Sequence, residues 1–84
     1  MKDHPKFAVI GGGSWATAIA KMLCVNVPEI AWYMRNQDAI DHIKTHHHNP
    51  NYLSSVEFQI QKLRLTSDIN EAIAYADYII FAIP

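Results

Sequence analysis

Three consecutive glycines near the N-terminus carry the clearest chemical signal in the sequence. They stand in the spacing Gly11-x-Gly13-x-x-Ala16, which fits the fingerprint of a dinucleotide-binding turn, whose third position is Gly or Ala. Gly11 would allow a sharp turn out of a strand, and Gly13 would leave room for a pyrophosphate. Ala16 would let the next helix pack close to the sheet, with its free N–H groups facing the phosphates. We therefore predict a nucleotide-phosphate site, with a plain structural turn as the alternative.

Arg35 follows the second apolar segment, where NAD-binding folds usually carry an acid that grips the adenosine ribose. The nearest acid is Asp38. An acid would repel a 2′-phosphate, whereas an arginine can pair with it through two hydrogen bonds. The residue therefore predicts NADPH as the cofactor, with NADH as the alternative. The competing interpretation is a surface arginine that stacks on adenine or has no role.

Trp15 lies in the first turn of the predicted helix, beside the expected pyrophosphate. It is either a core aromatic under the sheet or a cofactor contact, and its backbone N–H could serve the phosphate in both cases.

The histidines invite a metal interpretation, because His42 and His46 could share a helix face. No nearby cysteine completes a ligand set, and consecutive histidines in a polar turn are usually solvated, so we expect no metal site. The sequence also places no carboxylate pair, Ser/His/Asp set or thiol/His pair for catalysis. We therefore predict no catalytic residue in the chain.

Alternating apolar strands and helical stripes must position these residues. The predicted strands are Lys6–Ile10, Glu29–Met34, a short strand ending at 64–67, and Tyr78–Ile83; the predicted helices run from Ser14 to about Cys24, from Gln37 to about His47, and over about 69–76. This βαβαβαβ order, with right-handed crossovers, predicts an α/β fold: the first half of a Rossmann-type doubly wound parallel sheet in the order 3-2-1-4.

Three finer expectations follow from the pattern. Gly11, Arg35 and Pro84 should lie along one edge of the sheet, at the carboxyl ends of the strands. Ser14 should cap the first helix, with Thr17 on its exposed side. Extended structure is expected around 58–63, and Ser67 or Asp68 should begin the third helix.

Composition excludes several classes of protein. The chain has 84 residues, half of them apolar, a net charge of −1 and one cysteine, Cys24. This balance indicates a globular domain, and it gives no basic excess for nucleic acid or an anionic membrane. The apolar runs are too short to span a membrane, and no signal-peptide pattern precedes the first strand. With no internal disulfide available, we expect a cytoplasmic protein whose Cys24 is a buried core thiol.

Several motifs together resemble the bacterial NAD(P)-dependent glycerol-3-phosphate dehydrogenases. The matching segments are Gly11-Gly12-Gly13-Ser14-Trp15-Ala16-Thr17-Ala18, Trp32-x-x-Arg35, Asn49-x-x-Tyr52-Leu53, Thr66-Ser67-Asp68 and 76–84. The resemblance extends from Phe7 to Pro84. It departs at Ala16, where the family usually has glycine, and at Ser54, which replaces a common proline.

The resemblance implies that Ser14, Trp15, Arg35 and Tyr52 contribute to NADPH binding. It implies a parent enzyme that interconverts dihydroxyacetone phosphate and glycerol 3-phosphate for phospholipid synthesis. The family's catalytic lysine and helical substrate domain would lie beyond Pro84. Residues 1–84 are accordingly expected to be a truncated cofactor-binding domain, inactive alone, whose phosphorylated substrate is met only by the intact enzyme.

Two other interpretations stay open at this stage. One is the first half of another reductase, such as a ketopantoate reductase or a 6-phosphogluconate-type dehydrogenase. The other is a stand-alone nucleotide-binding module without catalysis. In an intact fold a fifth strand would cover the last strand, whereas in residues 1–84 the segment Tyr78–Ile83 would present an apolar edge, which predicts self-association through that strand.

Overall fold

The computed structural model describes residues 5–50 and 57–83. Four short strands alternate with three helices. The strands are β1 (Phe7–Ile10), β2 (Ile30–Tyr33), β3 (Leu63–Thr66) and β4 (Tyr78–Phe81), and the helices are α1 (Ser14–Asn26), α2 (Gln37–His46) and α3 (Ile69–Tyr75). The predicted element order is confirmed, with shorter strands and a longer first helix than the sequence indicated.

All four strands form one parallel sheet in the order β3-β2-β1-β4, as predicted. The register pairs Ile10 with Tyr33 on one side and with Phe81 on the other. The carboxyl ends of β1, β2 and β4 therefore lie along one edge of the sheet. The glycine turn follows β1 there, Met34 follows β2, and Ala82 follows β4. This edge is where ligands bind in open α/β sheets.

The two faces of the sheet bury separate apolar clusters. The larger cluster gathers side chains of β1, β2, α1 and α2, with Trp32 and Ile43 fully buried at its centre. The smaller cluster lies on the α3 face, where Ala8 and Ile10 pack against Ala72. Burial on both faces explains why β1 and β2 read as continuous apolar runs.

Local contacts identify the caps of α2 and α3, and they correct the expectation for the segment before β3. Asn36 caps α2, since its side chain accepts hydrogen bonds from the N–H groups of Asp38 and Ala39. Asp68, and not Ser67, caps α3 by accepting from the Asn70 N–H, while the Ser67 hydroxyl donates to Gln37. The segment before β3 is not continuously extended, because a 3-10 turn occupies Ile60–Lys62.

Within the described ranges, no helix combines the length and the apolarity that crossing a bilayer requires.

Candidate functional site

Gly11 makes the sharp turn at the carboxyl end of β1. Its φ is +136°, a conformation that side chains rarely adopt, and a Cβ there would lie 2.4 Å from the Ala82 carbonyl oxygen. That carbonyl cannot easily move, because Ala82 also donates a 2.9 Å hydrogen bond to the Ile10 carbonyl. Position 11 therefore needs glycine, as predicted, because its φ is positive and the chain after β4 approaches it closely.

Gly13 has a different environment, although it belongs to the same motif. Its φ of −83° is ordinary for any residue, and a Cβ built on it would meet nothing within 4 Å. Nothing among the described residues therefore requires glycine at position 13. Open space at this point is what the approach of a pyrophosphate to the backbone would need.

Three successive carbonyl oxygens of the turn each accept a hydrogen bond from a different element. The Gly11 carbonyl accepts from the Trp32 indole at 2.7 Å, and the Gly12 carbonyl accepts from the Asn49 side-chain amide at 3.0 Å. The Gly13 carbonyl accepts from the Thr17 hydroxyl at 2.7 Å and from its backbone N–H at 2.9 Å. We call Trp32, Asn49 and Thr17 the carbonyl anchors of the turn.

The N–H groups of the turn have no such partners. Gly11 donates to the Tyr33 carbonyl at 3.0 Å, but the N–H groups of residues 12–16 find no acceptor among the described residues. They lie at the N-terminus of the 13-residue α1, where the helix dipole also favours negative charge. This combination can bind an anion through backbone groups alone.

Ser14 and Trp15 differ from their sequence-based expectations. Gly13 is the N-cap of α1 and no side chain caps the helix, because Ser14 is already its first residue. Trp15 is 64% exposed, so it is not a core aromatic under the sheet. Both side chains are therefore available at the rim of the turn, next to its free N–H groups.

Thr17 and Ala16 are both fully buried. Thr17 was expected on the exposed side of α1, but its hydroxyl donates to the Gly13 carbonyl and accepts from Asn49 at 3.0 Å. Ala16 packs against the turn, since its Cβ lies 3.6 Å from the position of a Cβ on Gly11. The close packing predicted for Ala16 is thus present in the structure.

Arg35 lies two residues beyond β2, at the same edge of the sheet as the glycine turn. It is exposed, and within residues 5–50 and 57–83 no hydrogen bond or ion pair engages its guanidinium. The structure therefore brings Gly11, Gly13 and Arg35 to one edge. Tyr52 and Pro84, the other two predicted cofactor residues, lie outside the described residues.

The histidines form a ring cluster at the end of α2. The ring of His42 lies 4.5 Å from that of His46 and 4.9 Å from that of His48, between centroids. Burial, followed by the charges of the other two rings, lowers the pKa of His42, whose buried Nε2 has no hydrogen-bond partner within the described ranges. No group of three or more His, Cys, Asp or Glu that could hold a metal ion occurs in the part of the chain that the structure describes.

Other titratable groups lie away from the glycine turn. Arg64 pairs with Glu29 at 3.1 Å and stacks over Tyr75, at the amino end of β2 and on the α3 side. Burial raises the pKa of the Tyr75 hydroxyl, which donates to Glu29. Cys24 is free and buried as predicted, and burial raises the pKa of its thiol. A raised pKa disfavours the thiolate, so Cys24 is not a reactive nucleophile.

Sequence reasoning missed the carbonyl anchors. A buried tryptophan needs an acceptor for its indole N–H, so Trp32 carried a signal of a polar contact but not of its partner. Asn49 is 1% exposed and contacts residues 37 and 32 positions earlier in the chain. Contacts across such separations leave no local pattern in the sequence.

Comparison with known proteins gives one consistent result. Residues 6–84 match the family described as NAD-dependent glycerol-3-phosphate dehydrogenase N-terminus. A glycerol-3-phosphate dehydrogenase [NAD(P)+] of Macrococcus caseolyticus is 38% identical over 77 residues, which are 92% of this chain and 23% of that protein. The corresponding protein of Myxococcus xanthus is 35% identical over the same shares of the two chains.

A solved structure gives the same fold. The crystal structure of glycerol-3-phosphate dehydrogenase from Coxiella burnetii superposes with a TM-score of 0.81 and 24% sequence identity, covering 95% of this chain and 24% of that one. The chain therefore spans about a quarter of the length of the relatives that it matches.

Proposed function

Since the chain belongs to the family of NAD-dependent glycerol-3-phosphate dehydrogenase N-termini, we propose that its glycine turn binds the pyrophosphate of NADPH, with NADH as the weaker alternative. The family match favours this assignment over the other reductases and over a stand-alone module. The cofactor surface would comprise Gly11, Gly13 and Ala16 of the turn and the side chains at its rim. The further members of this proposed surface are Ser14, Trp15, Arg35, Tyr52 and Pro84.

The observation that carries the proposal is the open space at Gly13 beside N–H groups without acceptors. A Cβ on Gly13 would meet no atom of the described chain within 4 Å, and its backbone conformation needs no glycine. The reason for a glycine here would then be a ligand that approaches the backbone. A pyrophosphate meets that description, because its oxygens accept hydrogen bonds from backbone N–H groups at a helix N-terminus.

Arg35 supports the choice of NADPH. Its guanidinium is exposed at the same edge, beyond β2, where the adenosine ribose lies in dinucleotide folds. Because no carboxylate of the described residues pairs with it, its charge is available for a 2′-phosphate.

The wider role of the protein follows from its relatives and is likewise proposed. Residues 1–84 would form the N-terminal cofactor-binding domain of a cytoplasmic oxidoreductase that interconverts dihydroxyacetone phosphate and glycerol 3-phosphate for phospholipid synthesis. The sequence offers no carboxylate pair, Ser/His/Asp set or thiol/His pair for catalysis. The 84-residue chain is therefore expected to bind the cofactor without turnover.

Calorimetric titration of the 84-residue chain with NADPH, and separately with NADH, tests the proposal. We expect saturable binding that is tighter for NADPH. Gly13→Ala should weaken NADPH binding by about tenfold or more, because the methyl group would occupy the space next to the pyrophosphate. The variant should unfold within about 1 kcal/mol of the wild type, since its φ suits alanine.

Three results would contradict parts of the proposal. If the folded wild type binds neither dinucleotide, the assignment of the glycine turn is wrong. If it binds NADPH but Gly13→Ala binds equally well, the pyrophosphate does not lie against Gly13. If NADH binds more tightly than NADPH, the role given to Arg35 is wrong. Arg35→Ala adds a direct check, because it should weaken NADPH by about tenfold and leave NADH unchanged.

A further inference from the structure

The carbonyl anchors have a consequence for the direction of the N–H groups. A trans peptide is planar, and its C=O and N–H bonds point in opposite directions. The Gly11 carbonyl and the Gly12 N–H share one peptide plane, and the Gly12 carbonyl and the Gly13 N–H share the next. A side chain that holds a carbonyl on one side of the turn thereby directs the following N–H to the other side.

We propose that Asn49 and Trp32 are positioning residues for the cofactor pyrophosphate. Each holds one carbonyl of the glycine turn, so that the N–H groups of Gly12 and Gly13 point away from the chain toward the phosphates. The inference rests on the proposed binding of NADPH at this turn and adds to it two residues that would not themselves contact the cofactor.

Burial and hydrogen bonding support this role for Asn49. Its side chain is 1% exposed, and its amide donates to the Gly12 carbonyl and to the Thr17 hydroxyl, both at 3.0 Å. The Thr17 hydroxyl is in turn fixed by donating to the Gly13 carbonyl at 2.7 Å. Asn49 therefore joins two consecutive peptide groups of the turn to the segment that follows α2.

Trp32 performs the corresponding task from beneath the turn. Its ring is fully buried and packs against Phe58 with 5.1 Å between ring centroids. The indole N–H has a fixed direction, and it donates to the Gly11 carbonyl at 2.7 Å. The two positioning residues hold adjacent peptide groups, and the side chains of both are buried, which restricts their motion.

Glycine makes such support necessary. Gly11, Gly12 and Gly13 have no side chains to restrict their backbone, and glycine reaches more conformations than any other residue. Without these contacts the three glycines would have to be ordered when the phosphates bind, and the entropy lost in that step would weaken binding. Fixed N–H groups can instead meet the phosphates with their geometry already set.

The test compares two ligands that differ in the pyrophosphate. NADPH contains it, whereas adenosine 2′-monophosphate carries the adenosine and the 2′-phosphate without it. Asn49→Asp keeps the shape of the side chain but replaces the donor that faces the Gly12 carbonyl. We expect it to weaken NADPH about tenfold or more and to change the binding of adenosine 2′-monophosphate less than about twofold. Asn70→Asp, the same exchange at an exposed position on α3, is the matched control and should change neither affinity.

The outcomes separate this inference from the proposed function. If the wild type does not bind NADPH, the proposed function fails first. If the wild type binds and Asn49→Asp weakens both ligands equally, or neither, the positioning role is wrong. Trp32→Phe, which keeps an aromatic ring but loses the indole N–H, should show the same selective loss. If both variants lose the far-ultraviolet circular dichroism of the folded chain, the contacts serve stability alone and the inference is overturned.

Discussion

Replacement of Gly11 by alanine is the perturbation whose cost the structure defines best. The new methyl group would lie 2.4 Å from the Ala82 carbonyl oxygen, a distance that real contacts do not show, and the residue would keep a φ of +136°. A strained backbone conformation costs about 1–3 kcal/mol. Overpacking against a fixed neighbour costs about 1–3 kcal/mol more. We therefore expect a loss of about 2–6 kcal/mol in the free energy of unfolding.

This loss would be a large share of the stability of so small a chain. At about 0.05–0.15 kcal/mol per residue, 84 residues give a total of about 4–13 kcal/mol. For a domain of this size, each kcal/mol lowers the Tm by about 4–8 °C. Gly11→Ala should therefore lower the Tm by about 10 °C or more.

The assay is thermal and urea unfolding followed by circular dichroism, with Gly12→Ala as the matched control. A Cβ on Gly12 would lie 3.5 Å from Met34 Cγ, which is an ordinary contact, and its φ is not positive. The control should unfold within about 1 kcal/mol of the wild type. Equal midpoints for the two variants would refute the reasoning, because they would show that the chain after β4 does not constrain Gly11.

Two further predictions concern α2 and the sheet edge. Because the pKa of His42 is lowered in the folded chain, unfolding takes up a proton below the ordinary value of 6.5, so stability should fall as the pH drops below it. His42→Gln should reduce this loss in urea unfolding between about pH 7.5 and about pH 5.5, and an unchanged pH dependence would contradict the assignment. At the sheet edge, Tyr78 and Phe81 of β4 are 59% and 62% exposed, and we propose that two copies of the 84-residue chain associate through this strand. Phe81→Lys should then shift the mass measured by light scattering toward the monomer, and a wild type that is already monomeric would disprove the association.

The fold could be predicted because its signals are local and repeated. The strands β1, β2 and β4 are short apolar runs, α2 and α3 carry apolar stripes, and the right-handed crossover leaves few topologies. The spacing of Gly11, Gly13 and Ala16 also fixed where β1 turns into α1. Arg35 reached the predicted edge because parallel strands end on the same side of a sheet.

The faces of α1 could not be predicted with the same certainty. Ala16, Ala18 and Ala20 give the helix small residues on several sides, so apolar periodicity alone could not decide which side faces the sheet. In the structure Ala16 and Ala20 are buried and Ala18 is exposed. Thr17 is buried as well, because its hydroxyl forms hydrogen bonds with the Gly13 carbonyl and the Asn49 side chain. Trp15, the second residue of α1, is 64% exposed, and the pattern of small residues did not predict this either.

The anchoring of the glycine turn also bears on how the motif can be transferred between proteins. Its ten or so residues hold only part of the information for its shape, because two of the three anchors come from β2 and from the segment after α2. If the glycine sequence alone were grafted into another parallel sheet, its backbone would stay flexible, because the hydrogen bonds from Trp32 and Asn49 would be missing. During folding, moreover, the turn would reach its final shape only when β2 and the segment after α2 have docked against it.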